Sequence, residues 1–161
     1  MTSREFFIYT IKDESPRFER LFKALPDDKL SWRPHERNKS AMELMVSMAS
    51  EFATMPDILQ KGVVDFVELK PVAFKNGEEA ADFFVKMSRQ SADLASKMTD
   101  DEWEEKAEML LKGKSEWKAT KNIMAWGLIL DLIHHRGQLS VYIRPMGGRV
   151  PSIYGPSGDS K

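Results

Sequence analysis

Asp131-Leu132-Ile133-His134-His135-Arg136-Gly137-Gln138 follows directly on the apolar stretch Ile123 to Leu130, and so puts a carboxylate and two imidazoles on a helix whose other faces read as buried. Stepping by three and four residues, Asp131, His134 or His135, Gln138 and Tyr142 fall on one side of that helix, and Gly127, one turn earlier, leaves room for a neighbour. Ionisable groups are seldom fully buried unless they are paired, hydrogen-bonded or bound to a metal. A polar stripe in an apolar helix therefore points to a site.

Outward from this stretch, the chain reads as helices joined by short loops. The last helix spans about Lys121 to Arg144 and stops at Pro145 and Gly147-Gly148. Phe7, Ile11, Phe18, Phe22 and Leu25 share one face of a first helix over residues 4–25, which Pro16 should kink or restart behind Ser15. Ser40-Ala41-Met42-Glu43 has the Ser-x-x-Glu spacing of a capping box and opens a second helix to Met55, perturbed near its end by Pro56. Its charges are Glu43, explained by the cap, and Glu51, which like Asp131 is a lone carboxylate in an apolar helix. Ala80, Phe83, Phe84, Met87, Leu94 and Met98 mark a third long helix, capped near Asn76 and ending near Thr99, with a short helical piece through Trp103. Residues 62–76 read as an irregular crossover with some extended structure, and Met109 to Trp117 as a hairpin around Lys112-Gly113-Lys114. The expected architecture is all-α: a four-helix bundle with a long crossover and a small hairpin before the last helix. The proline-stiffened tail Val150 to Pro156 should pack back on the bundle.

Composition narrows the chemistry. At 161 residues the chain reads as a single domain, residues 1–161, able to bury about two thirds of its unfolded surface. Its 24 basic and 25 acidic residues are interspersed, so no one-signed field favours nucleic acid or an anionic membrane. There is no cysteine, which excludes disulfides and thiolate ligands and leaves His, Asp and Glu to hold any metal. No apolar run is long enough to span a membrane, and the first residues lack an export pattern, so a cytoplasmic protein is expected.

The stretch His134 to Arg144, followed by Gly147-Gly148 and Val150-Pro151-Ser152-Ile153-Tyr154-Gly155, resembles the C-terminal signature of the DinB family. Leu25 to Pro34 is similar to that family's first interhelical loop, and Ser40 to Leu44 to its second-helix entry. The resemblance implies a DinB/YfiT-like four-helix bundle, often a homodimer. It also implies a divalent metal held by three histidines, one on the second helix and two on the fourth, in a family that includes thiol-dependent S-transferases and isomerases. This chain departs from that ligand set: Ser47 stands at the second-helix position and Asp131 at the first fourth-helix position, and His135 alone matches. Glu51 lies one turn beyond Ser47 on the same face, so Glu51, Asp131 and His135 form a substitute set suited to Zn, Mn, Fe or Ni rather than a soft ion such as Cu(I).

Two readings of these three residues stay open. One is a metal centre; the other is a metal-free hydrogen-bonded network, as in a binding or stress-response module that has lost catalysis. If the chain is an enzyme, the resemblance implies transfer of a small-molecule thiol to an electrophile, with Tyr142 or Arg144 orienting the substrate and no residue assigned to the catalytic step itself. Arg136 is expected to be structural, Met42, Met45, Met48 and Met55 to be core, His134 to lie at the surface, and Trp126 with Tyr142 to flank a pocket mouth.

Overall fold

Each of the four long helices starts at a side chain that caps it. The computed structural model describes residues 1–65, 67 and 72–160. Its helices are α1 (Ser3–Lys23), α2 (Ala41–Phe52), α3 (Met55–Lys61), α4 (Gly77–Lys97), α5 (Asp100–Trp103) and α6 (Lys121–Ile143). Thr2, Ser40, Asn76 and Thr120 each accept a hydrogen bond from a first-turn N–H of α1, α2, α4 and α6 that the helix cannot satisfy itself. Ser40 and Glu43 make the full capping box that their spacing suggests. Pro56 restarts the chain as α3, in whose first turn a missing N–H does no harm, and Gly62, with φ of 67°, ends it.

Pro16 does not restart the helix. Helix α1 runs through it without a break. Pro16 is exposed and, with Lys12, borders an open groove, so water can reach the carbonyl that loses its helix donor.

The apolar faces close on each other in pairs. The contact of α1 with α4 is the most extensive between helices, and α2 packs against α6. Phe84 of α4 sits among Phe22, Phe18 and Phe52, with ring centroids 4.6, 5.2 and 5.3 Å away. Met45, Met48 and Met55 are fully buried in the same core, and Met42 packs on its edge. At the start of α4 the seam is so close that a Cβ on Gly77 would lie 2.1 Å from the Phe22 carbonyl oxygen.

The expectation of an all-α chain needs correction, since a small three-stranded sheet closes one end. Strand β1 (Val63–Asp65) runs parallel to β2 (Lys106–Leu111), which pairs antiparallel with β3 (Lys114–Thr120). The expected hairpin is therefore present and longer than its apolar alternation suggested. Lys112 and Gly113 take positive φ at its tip, as a two-residue hairpin turn requires. The extended structure expected in the crossover appears as β1, whereas Phe66 and residues 68–71, including Pro71, lie outside the described residues. Strand β3 runs directly into α6, and Trp117 packs where a Gly127 Cβ would be, 3.1 Å from its ring. The tail folds back as expected: Arg17 donates to the Ile153 carbonyl and Arg20 to that of Ser152.

Candidate metal centre

The pairing of α2 with α6 brings three residues from two separate parts of the sequence to one point. Leu44, Met48 and Phe52 turn the inner face of α2 into the core, and Leu128, Leu132 and Leu139 do the same for α6. Glu51 lies beside that inner face on α2, and Asp131 and His135 lie one turn apart on α6. One donor atom from each of Glu51, Asp131 and His135 lies within 4.8 Å of the other two. The His135 Nε2 is 3.2 Å from Asp131 Oδ2. Donors around a single ion bonded at roughly 2.0–2.2 Å stand about 3–3.5 Å apart, so small side-chain adjustments bring this set onto one ion.

The surroundings orient the histidine. Gln138 Nε2 donates to His134 Nε2 at 2.8 Å, which leaves Gln138 Oε1 to accept from His135 Nδ1 at 2.9 Å. With its proton on Nδ1, His135 turns the Nε2 lone pair towards Asp131. A lone pair against a carboxylate is stable only with a second proton, as an imidazolium, or with a cation between them.

Glu51 is the strained member. Its Oε1 accepts from Ser47 Oγ at 3.4 Å, and Ser47 in turn accepts from the Lys39 ammonium. The other oxygen, Oε2, is buried without a hydrogen-bond partner among the described residues. Burial, and then Asp131 as both proton acceptor and like charge, push the Glu51 carboxyl up to about 7, against a smaller opposite pull from His135 and Lys39. Protonated, Glu51 can donate to Asp131. Ionised, it carries an uncompensated buried oxygen.

A cleft of about 420 Å³ opens beside this cluster, lined by Arg37, Asn38, Lys39, His135, Gln138 and Tyr142 among others. Tyr142 is buried against Trp32 and donates from its hydroxyl to the Lys39 carbonyl at 3.2 Å. Arg144 lies outside the lining, where its Nε donates to Asp159 of the tail at 2.9 Å. Trp126 is far from Tyr142: sixteen residues along α6 amount to roughly 24 Å, and its ring instead stacks on Phe6 of α1. His134 is exposed, and His35 lies in the exposed loop before α2, where its Nδ1 accepts from the Arg37 N–H.

A second polar cluster lies on the opposite side of α6, and sequence reasoning did not single out its acidic member. Arg136 is buried in an ion pair with Glu14, its guanidinium 4.8 Å from the Phe18 ring centroid. The Tyr154 hydroxyl accepts from Arg136 at 2.6 Å and donates to Glu14 at 2.9 Å, tying the tail to both helices. The available signal was that Glu14 interrupts the apolar face between Ile11 and Phe18, just as Arg136 interrupts that between Leu132 and Leu139.

Comparison with known proteins agrees with this architecture. The model of the DinB family matches residues 2–160, and the chain belongs to that family. A crystal structure of a DinB-like protein from Bacillus subtilis superposes with a TM-score of 0.69 at 17% identity, covering 96% of this chain and 98% of that one. One from Bacillus cereus superposes with a TM-score of 0.66 at 20% identity, covering 93% and 97%. At these identities the likeness speaks for the fold. No curated protein matches the chain.

Proposed function

We propose that this DinB-family chain holds a divalent metal through Glu51, Asp131 and His135, and uses it in transfer of a small-molecule thiol to an electrophile. The observation that carries the reading is Glu51 Oε2, a buried carboxylate oxygen with no partner among the described residues, on a residue that clusters with a second carboxylate and an imidazole. A divalent cation satisfies all three at once, and two oxygens with one nitrogen suit Zn, Mn, Fe or Ni. When bound, such an ion lowers the pKa of a coordinated thiol so that it reacts as the thiolate. The chain's own residues do the rest. Gln138 fixes the His135 ring, Ser47 holds Glu51 Oε1, and the cleft beside His135 receives the substrate, with Tyr142 in its wall. The thiol itself rests on the family resemblance.

A second reading, a metal-free binding module, is favoured by the 3.2 Å contact of His135 with Asp131, which an imidazolium–carboxylate pair also explains. Calorimetric titration of chelator-stripped protein with Zn²⁺, Ni²⁺ and Mn²⁺ separates the two. The metal reading predicts saturable binding with proton release, weakened at least tenfold in Glu51→Gln and abolished in Asp131→Ala and His135→Ala. Absence of heat with every ion, or equal binding by the three variants, would favour the network.

A further inference from the structure

The cleft beside the cluster has a charge pattern that metal binding does not require. Among the described residues its wall contains two cations, Arg37 and Lys39, and no carboxylate. The Arg37 guanidinium has no ion-pair or hydrogen-bond partner among those residues, and the Lys39 ammonium donates only to Ser47 Oγ. Glu36, beside Arg37 in the chain, is exposed and lies outside the cleft wall, and the other acidic groups nearby are engaged. Glu43 pairs with Arg33 at 3.2 Å and caps α2, while Glu51 and Asp131 belong to the cluster. The charged groups of the cleft wall itself are therefore Arg37 and Lys39, with or without an ion at the neighbouring cluster.

We propose that this cleft binds a small molecule through an anionic group, a carboxylate or a phosphate, held between Arg37 and Lys39. The amides of Asn38 and Gln138 offer further hydrogen bonds, and Leu44 and Val141 provide an apolar wall for the body of the ligand. A fork of guanidinium and ammonium matches either headgroup, since both present paired anionic oxygens. The ligand's other end lies at His135. That this end is the reacting one rests on the metal-centre reading, whereas the anion subsite does not.

Arg37 and Lys39 are both exposed, so variants there should keep the fold. The test is calorimetry with glutarate, methyl phosphate and neutral glutaramide, on stripped and on zinc-loaded protein, comparing wild type with Arg37→Ala/Lys39→Met. The proposal predicts that at least one anion binds the stripped wild type, more weakly as salt rises, and that glutaramide does not. The double variant should lose roughly tenfold or more in anion affinity on the stripped protein, where the Lys39–Ser47–Glu51 contact cannot act through a bound ion. Tighter binding of one anion identifies the headgroup. Binding of neither anion, equal binding of glutaramide, or unchanged affinity in the double variant would overturn the subsite. Failure of zinc to load the wild type, with anion binding still dependent on Arg37 and Lys39, would remove the metal reading and leave the subsite standing.

Discussion

Glu51 carries an oxygen that folding buries without a partner among the described residues, at a cost to its ionised form. Its carboxyl is raised from 4.5 to about 7 by burial first and by Asp131 second, so the native chain holds a proton that the unfolded chain releases. That contribution is fully present below about pH 4.5 and is lost as the pH rises through about 7. In chelator-stripped protein the stability from this group should fall by roughly 1–2 kcal/mol between about pH 5 and 8, its partial contact with solvent reducing the full value. Urea melts of wild type and Glu51→Gln read this directly; identical pH slopes would mean that Glu51 is ionised throughout. On the other side of α6, Glu14→Ala leaves Arg136 buried without its counter-charge and should cost about 3–5 kcal/mol, whereas Tyr154→Phe removes a neutral hydroxyl and should cost about 1–2. A loss under about 1 kcal/mol for Glu14→Ala would show that the pair is well hydrated. The two clusters were unequally legible. Glu51 and Asp131 stood out as lone carboxylates in apolar helices, and helical spacing with the family resemblance set them with His135. The Glu14–Arg136–Tyr154 contact depends on which faces of α1, α6 and the tail meet, and no local periodicity encodes that.

The helices were legible because each carries its own start signal and apolar face. Ser40 with Glu43, Asn76 and the Pro145-Gly147 stop mark ends that depend only on nearby residues. Strand β1 was legible only as extended chain, because its parallel pairing with β2 joins segments far apart in sequence and three residues show no usable period. That α1 continues through Pro16 rather than restarting was not legible for a related reason: it depends on whether the freed carbonyl can reach water, which is a property of the packed helix pair. The α1–α4 seam should be the most sensitive of the helix contacts. Phe84→Ala removes a ring that touches three other phenylalanines and should cost about 3–5 kcal/mol in denaturant melts. Gly77→Ala should also destabilise, since its Cβ would meet backbone at 2.1 Å. Wild-type stability in either variant would contradict this packing.

For the molecule as a whole, apolar side chains stay exposed on α6: Ile123 and Leu130 are 53 and 60% exposed, with Phe6 and Tyr9 of α1 also exposed beside Trp126. We propose that a second copy of the chain covers them, as an isologous contact would. Light scattering should then give twice the chain mass at micromolar concentration, and Leu130→Glu should give one chain mass with unchanged circular dichroism; a wild-type mass of one chain would contradict the pairing. No helix among the described residues is long and apolar enough to cross a membrane. If a divalent ion joins α2 to α6, as we propose, its binding free energy is also folding free energy. Elemental analysis of untagged protein purified without added metal, combined with thermal melts before and after chelation, tests this most directly. The wild type should carry a stoichiometric divalent metal and Asp131→Ala and His135→Ala none, with a melting temperature that falls on chelation only in the wild type. A metal-free wild type whose melting temperature is indifferent both to chelator and to added Zn²⁺, Ni²⁺, Mn²⁺ or Fe²⁺ would contradict it.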